Sequence, residues 1–123
     1  MKQFEHTIAL DAMGGENAPD KVIEGLKLFL DQERNIFFLL HGKEEAIQKS
    51  ISKFHIPKEN YKIIHCAEEI KDKDSVRDAI RTGKETSMWK AIDSVKNLES
   101  DLIISSGNTG ALLVISKLII KMI

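Results

Sequence analysis

Four short apolar runs constrain this chain more than any other feature. They are TIALDA at Thr7–Ala12, NIFFLL at Asn35–Leu40, YKIIHC at Tyr61–Cys66 and DLIIS at Asp101–Ser105. Their apolar character is continuous rather than alternating, which suits strands buried on both faces of a parallel sheet. Between them lie segments of helical period. Val22, Leu26, Phe29 and Leu30 share one face, with Pro19 well placed in the first turn. Ile47, Ile51 and Phe54 form a second stripe that Pro57 cannot prolong. Val76, Ala79 and Ile80 predict a short helix after Asp74 or Ser75, and Met88, Ala91, Ile92, Val95 and Leu98 a clearer one. A last helix is predicted to start near Asn108 or Thr109. The order β-α-β-α-β-α-α-β-α predicts an α/β fold: a parallel sheet with right-handed crossovers and helices on both faces. Residues 1–123 read as a single α/β segment without linker, repeat or low-complexity stretch, and EEIKDKDS reads as a charged loop.

Composition excludes several classes of function. A chain of 123 residues can bury one hydrophobic core. The net charge is −1, and lysines and acids are interspersed, so no basic face for nucleic acid is evident. Cys66 is the single cysteine, which rules out an internal disulfide and suits a reducing compartment. MKQFEHTIAL lacks the apolar stretch of a signal peptide. The stretch from Ala111 to Ile123 is too short to span a bilayer and carries two lysines. A cytoplasmic protein is expected. His6, His41, His55 and His65 show no metal-ligand spacing, so no metal is expected. Cys66 reads as a small buried side chain, Trp89 as packing, and KSISKFHIPK as a solvated helix face.

Two predicted strands end in glycine-rich loops. The first continues into LDAMGGENAP, with Asp11, Met13, Gly14 and Gly15; the second continues into SSGNTGA, from Ser105 to Ala111. In open α/β sheets ligands bind beyond the carboxyl ends of the strands, where strand order reverses. A strand order of 3-2-1-4 makes the first and fourth strands neighbours there, and both loops then line one crevice. The chemistry favours an anion: glycine admits close backbone approach, and the free amides of a helix N-terminus attract phosphate. Ser106, Asn108 and Thr109 add neutral donors. A carboxylate repels phosphate, so Asp11 is expected to fix loop amides or orient a donor. Taken singly, a glycine loop after a strand is often only a turn. SSGNTGA lacks the Lys-Ser/Thr of a P-loop and DAMGGENA is not G-x-G-x-x-G, which disfavours ATP and NAD.

The same residues carry a resemblance. IALDAMGGENAPD followed by a helix, then DSVRDAIRTGKETSMWKAIDSVK, then SSGNTGALL, closely resembles the bacterial phosphate acyltransferase of phospholipid synthesis, the PlsX family. The match is collinear from about Thr7 to the last residue. Two departures are small: a threonine precedes Ser87 in KETSM, and Ser106 stands where the family commonly has alanine. The resemblance implies a Rossmann-like doubly wound fold. It implies transfer of a fatty acyl group from acyl carrier protein to inorganic phosphate, giving an acyl phosphate that a membrane glycerol-3-phosphate acyltransferase consumes. It further implies a homodimer, possible attachment at the membrane periphery, and no metal or organic cofactor. A phosphotransacetylase-like enzyme using acyl-CoA is the nearest alternative; a non-catalytic module for phosphate binding or dimerisation is the other. Phosphate or oxyanion contacts are assigned to Ser106, Gly107, Asn108, Thr109 and Gly110, with Asp11, Met13, Gly14 and Gly15 as the opposite wall. Asn108 is the expected catalytic donor, through its side-chain NH₂. Lys84 and Ser87 are secondary candidates. Arg77 and Arg81 could meet phosphate or the acidic carrier protein, with surface ion pairing the plainer reading.

Family chains are far longer, and this sequence resembles only their N-terminal third or so. The last predicted helix points the same way. From Ala111 only Ser116, Lys117 and Lys121 are polar, and the two lysines form one narrow strip. A helix apolar nearly all round is normally buried on several sides, and no Gly or Asn stop signal follows Met122–Ile123. The natural surroundings of this helix are expected to lie outside the chain or in another one.

Overall fold

A computed structural model describes residues 4–71 and 73–120. Asp72 of the charged loop lies outside these residues. So do Lys121, Met122 and Ile123, on which the expectations for the end of the last helix rest.

Four strands form one parallel sheet: β1 (His6–Asp11), β2 (Ile36–Gly42), β3 (Tyr61–His65) and β4 (Leu102–Ile104). The strand order is β3-β2-β1-β4, as the crevice argument requires. Five helices connect them: α1 (Asp20–Leu30), α2 (Glu44–Phe54), α3 (Val76–Thr82), α4 (Ser87–Lys96) and α5 (Thr109–Ile120). Short 3₁₀ turns at Lys58–Asn60 and Gly83–Glu85 complete the path. The architecture is α/β and Rossmann-like.

Each face of the sheet has its own apolar layer. On one side Leu10, Phe38 and Leu40 pack with Ile23, Leu26 and Leu30 of α1 and Ile47 and Ile51 of α2. On the other, Ile103 of β4 meets a layer built by Ala79 of α3, Met88 and Ile92 of α4, and Ala111, Ile115 and Ile119 of α5. Both layers follow from period-two alternation in the strands meeting helical stripes. Helix ends are set by local chemistry. Residue His55 closes α2 in the left-handed region (φ 57°) just ahead of Pro57. Side-chain oxygens of Ser75 and Thr86 accept from the Asp78 and Trp89 N–H groups and cap α3 and α4.

Some expectations need correction. In the α1 stripe Leu26 and Leu30 are buried, but Ile23 joins them in place of Phe29, which is exposed and meets Phe38 edge-on at 5.8 Å. Pro19 stands at the cap position, one residue ahead of the helix. Leu98 is not part of the α4 stripe; it follows the helix end with a positive φ and is 90% exposed. Ser50, within the supposedly solvated KSISKFHIPK, is buried and donates to Asp20 at the start of α1. Cys66 and Trp89 do pack as expected.

Helix α5 is apolar on two sides. Ala111, Ile115 and Ile119 are buried, while Leu113, Leu118 and Ile120 face outward, Leu113 at 60% exposure. Strand β4 is a sheet edge, and its Leu102 and Ile104 are also exposed.

One buried group makes stability depend on pH. His41, paired with Asp11 across β1 and β2, is 2% exposed, and its Nδ1 lies 3.1 Å from the Leu39 carbonyl oxygen. Burial pushes its pKa down to about 4. The unfolded chain therefore takes up a proton between pH 6.5 and 4 that the folded one refuses, so stability is lost as pH falls through that window. The loss from this residue is on the order of 3 kcal/mol. Urea titrations from pH 7 to 4 should show it, and His41→Gln should flatten that part of the profile.

Candidate functional site

The register of β1 against β4 pairs Leu10 with Ile104, so Asp11 and Ser105 follow side by side at the carboxyl ends. The Ser105 hydroxyl donates to Asp11 Oδ2 at 2.9 Å. The Ser87 hydroxyl, at the first residue of α4, donates to Asp11 Oδ1 at 2.7 Å. The Met13 N–H donates to the same oxygen at 3.2 Å. A serine hydroxyl has one proton, and both are spent on the carboxylate. Ser105 Oγ then accepts from the Gly107 N–H at 3.1 Å. A single carboxylate thus joins the first glycine loop, the second glycine loop and the start of α4.

Asp11 is 2% exposed, and burial raises its pKa above the usual carboxylate value. The hydrogen bonds from Ser87, Ser105 and Met13 pull it back, and the charge of Glu69 adds to the rise.

The two loops interlock around Gly14. A Cβ there would stand 2.9 Å from Asp11 Oδ2 and 2.9 Å from the Gly107 nitrogen. Only a bare glycine permits this approach. Gly15 has φ +91° and lies against Ser106. Met13 turns away and packs over Gly42, so it anchors its loop on β2.

Asn108 caps α5: its Oδ1 accepts from the Ala111 N–H at 3.1 Å. Its Nδ2 donates to the Asp74 carbonyl at 2.7 Å and the Lys71 carbonyl at 3.3 Å. This changes the role expected of it. In this arrangement the side-chain amide holds the charged segment after β3. The backbone N–H groups of Asn108, Thr109 and Gly110 have no partner among the described residues. They form the open N-terminus of α5, the kind of amide cluster that accepts an anion. Gly110 also admits α3, since a Cβ there would lie 3.2 Å from Val76 Cγ2.

The remaining candidates separate. Ser87 is buried and reaches the site through Asp11. Lys84 is exposed on the 83–85 turn and makes no hydrogen bond or ion pair among the described residues. Arg77 and Arg81 are exposed on α3, and the ion pairing expected of them is absent among the described residues. Ser105, the first residue of the second glycine loop, is a site residue that the loop motif alone does not mark. Period-two alternation could have found it, because it lies two residues beyond Ile103 on the face that carries Asp11. Among the described residues, no group of three or more His, Cys, Asp or Glu side chains could hold a metal ion. No helix of the described residues is long and apolar enough to cross a membrane.

Comparison with known proteins matches residues 6–123 to the family described as fatty acid synthesis protein. A phosphate acyltransferase of Pelagibacter ubique is 48% identical over 116 residues, covering 94% of this chain and 34% of that protein. A phosphate acyltransferase of Caulobacter vibrioides is 39% identical over 115 residues, covering 94% and 32%. A third, from Enterococcus faecalis, is 47% identical over 106 residues, covering 86% and 31%. The chain belongs to the fatty acid synthesis protein family and spans about a third of the length of the curated relatives it matches.

Two measurements check the geometry of the loops. Gly14→Ala should cost about 1–3 kcal/mol, because backbone must shift to admit the methyl group. Gly25→Ala, where a Cβ meets nothing within 4 Å, should be neutral or stabilise α1 by up to about 1 kcal/mol. Equal effects in urea unfolding would contradict the interlock. For Asp11 the folded-state pKa is raised, so the folded chain binds its proton more readily than the unfolded one. Its ionisation costs stability as pH rises through that raised value. The stability of the wild type relative to Asp11→Asn should therefore increase on acidification from pH 7 toward 4. A difference independent of pH would mean that Asp11 is not held in this environment.

Proposed function

We propose that this chain supplies the phosphate-binding part of an acyltransferase that moves a fatty acyl group from acyl carrier protein to inorganic phosphate. The product is an acyl phosphate for phospholipid synthesis. The observation that carries the reading is the set of unpartnered N–H groups at Asn108, Thr109 and Gly110, beside the Gly14–Gly107 contact. The names of the relatives give the reaction class.

The reaction needs little covalent help from the protein. A phosphate oxygen attacks the thioester carbonyl carbon and forms the new C–O bond. The carbonyl electrons move to oxygen, then return and break the C–S bond, and the thiolate leaves and takes a proton from water. The protein must hold two reactants in line and stabilise the transient oxyanion. In this reading the backbone N–H groups of Asn108, Thr109 and Gly110 hold the anion, with Ser106 and Gly107 shaping the loop and Gly14 and Gly15 the facing wall. Asn108 contributes its backbone, while its side chain secures residues 71–74. Asp11 and Ser87 set the spacing of the loops from within; Met13 anchors the first loop. Lys84 remains a candidate for steering an anionic donor from the surface.

Acyl carrier protein and inorganic phosphate are the proposed substrates, and a membrane glycerol-3-phosphate acyltransferase the proposed consumer of the product. The outward apolar face of α5 and the open β4 edge support assembly with further protein, including a homodimer. The unpartnered amides would by themselves serve one second reading, a module that binds phosphate without turning it over.

Thr109→Pro tests the anion site. Proline is accommodated at the first position of a helix but removes one N–H. Loss of one hydrogen bond to a charged group is worth about 1.5–3 kcal/mol, so phosphate binding measured by ³¹P NMR should weaken about tenfold or more while helicity is retained. Unchanged binding would remove the α5 amides from the site. Acyl phosphate formation from carrier-protein and CoA donors then separates the readings. Turnover only with the carrier protein supports the main one, turnover with CoA the phosphotransacetylase-like one, and binding without turnover the module.

A further inference from the structure

A groove of about 290 Å³ runs between α1 and the β1–β4 side of the sheet. Its floor is Ile8 and Leu10 of β1 with Ile104 of β4, and Phe29 walls its far end. Lys21 and Ser106 stand at the other end. Helix α1 begins next to the carboxyl end of β1 and runs back along the sheet, so the polar end of the groove opens at the glycine loops. Ser106 belongs both to the groove and to the loop that abuts Gly15.

We propose that this groove holds the hydrocarbon tail of an acyl group whose phosphate-bearing head sits at the α5 N-terminus. The inference rests on the anion site proposed above. Three features commit it to a single extended chain. The lining is apolar along its length and polar only where it meets the loops. The cationic Lys21, which shares an exposed ion pair with Glu24 at 3.6 Å, stands at the end where an anionic head would lie. Gly25 borders the groove in the middle of α1, where alanine would favour the helix and a Cβ would meet no atom within 4 Å. The bare position leaves the groove wide at no gain to packing. At roughly 30 Å³ for each small group the volume accommodates about ten carbons.

Decyl phosphate, inorganic phosphate and 1-decanol, each below its aggregation limit, distinguish tail from head. Each buried methylene strengthens binding about three- to fourfold, so decyl phosphate should bind the wild-type chain at least about a hundredfold more tightly than inorganic phosphate. Gly25→Leu, whose Cβ meets no atom within 4 Å, extends a side chain into the groove and should remove at least about tenfold of that advantage, leaving inorganic phosphate binding unchanged. Gly25→Ala, with a smaller side chain, should remove less, and circular dichroism of both variants establishes that α1 is intact. The proposal is overturned if decyl phosphate binds no more tightly than inorganic phosphate, or if folded Gly25→Leu binds it as the wild type does. Failure of inorganic phosphate to bind the wild type would defeat the anion-site reading alone, since decanol binding lost in Gly25→Leu still identifies the tail site. A dimer that Gly25→Leu dissolves and decyl phosphate leaves intact would assign the groove to a second copy and overturn the proposal.

Discussion

The carboxylate of Asp11 is the constraint on which the rest of the site depends. It lies at the end of the central strand, out of water, and accepts from Ser87, Ser105 and Met13. A buried charge is tolerated only when neighbouring donors replace the lost hydration. Those donors come from three separate stretches of chain, so satisfying the charge also brings the stretches together. Ser105 passes the constraint on to Gly107, and the short path from Gly107 to α5 fixes where the open helix end points. The carboxylate repels anions, yet it is spent inward on hydroxyl and amide donors, leaving the backbone of the second loop to present its amides outward.

The surfaces away from the loops have a different logic. The sheet is covered on one face by α1 and α2 and on the other by α4, with α3 and α5 packed beyond. Beyond β4 this cover thins. Leu102 and Ile104 on the edge, Leu28 on α1, and Leu113, Leu118 and Ile120 on α5 are all exposed. Of these, Leu102, Ile104, Leu113, Leu118 and Ile120 lie on β4 or on the helix that follows it in the chain.

The order of elements was legible because the four apolar runs are short and the helical stripes between them are regular. Parallel strands with right-handed crossovers leave few arrangements, and the neighbouring β1 and β4 tips followed from one of them. Details set by tertiary packing were not legible. Phe29 has the right spacing for the α1 stripe, yet Ile23 takes the core position because the helix is rotated to bury it. Leu98 fits the α4 period, but the helix ends at Lys96 and the turn carries Leu98 into solvent. In the site, sequence indicated which loops meet and left open which atoms do so. Asn108 in a glycine loop reads as a free donor; only the fold brings the Lys71 and Asp74 carbonyls within its reach. Ser105 went unassigned because a hydroxyl at a strand tip has no signature until its register neighbour is known to be a buried acid.

The contact of Gly14 with Gly107 has a mechanical consequence. The first loop cannot acquire a side chain at residue 14 without displacing the second, and both are tied to one acid. Positions far apart in the sequence are therefore coupled mechanically: a side chain at residue 14 would push on the backbone of residue 107, and removal of the acid would leave both serine hydroxyls without their acceptor.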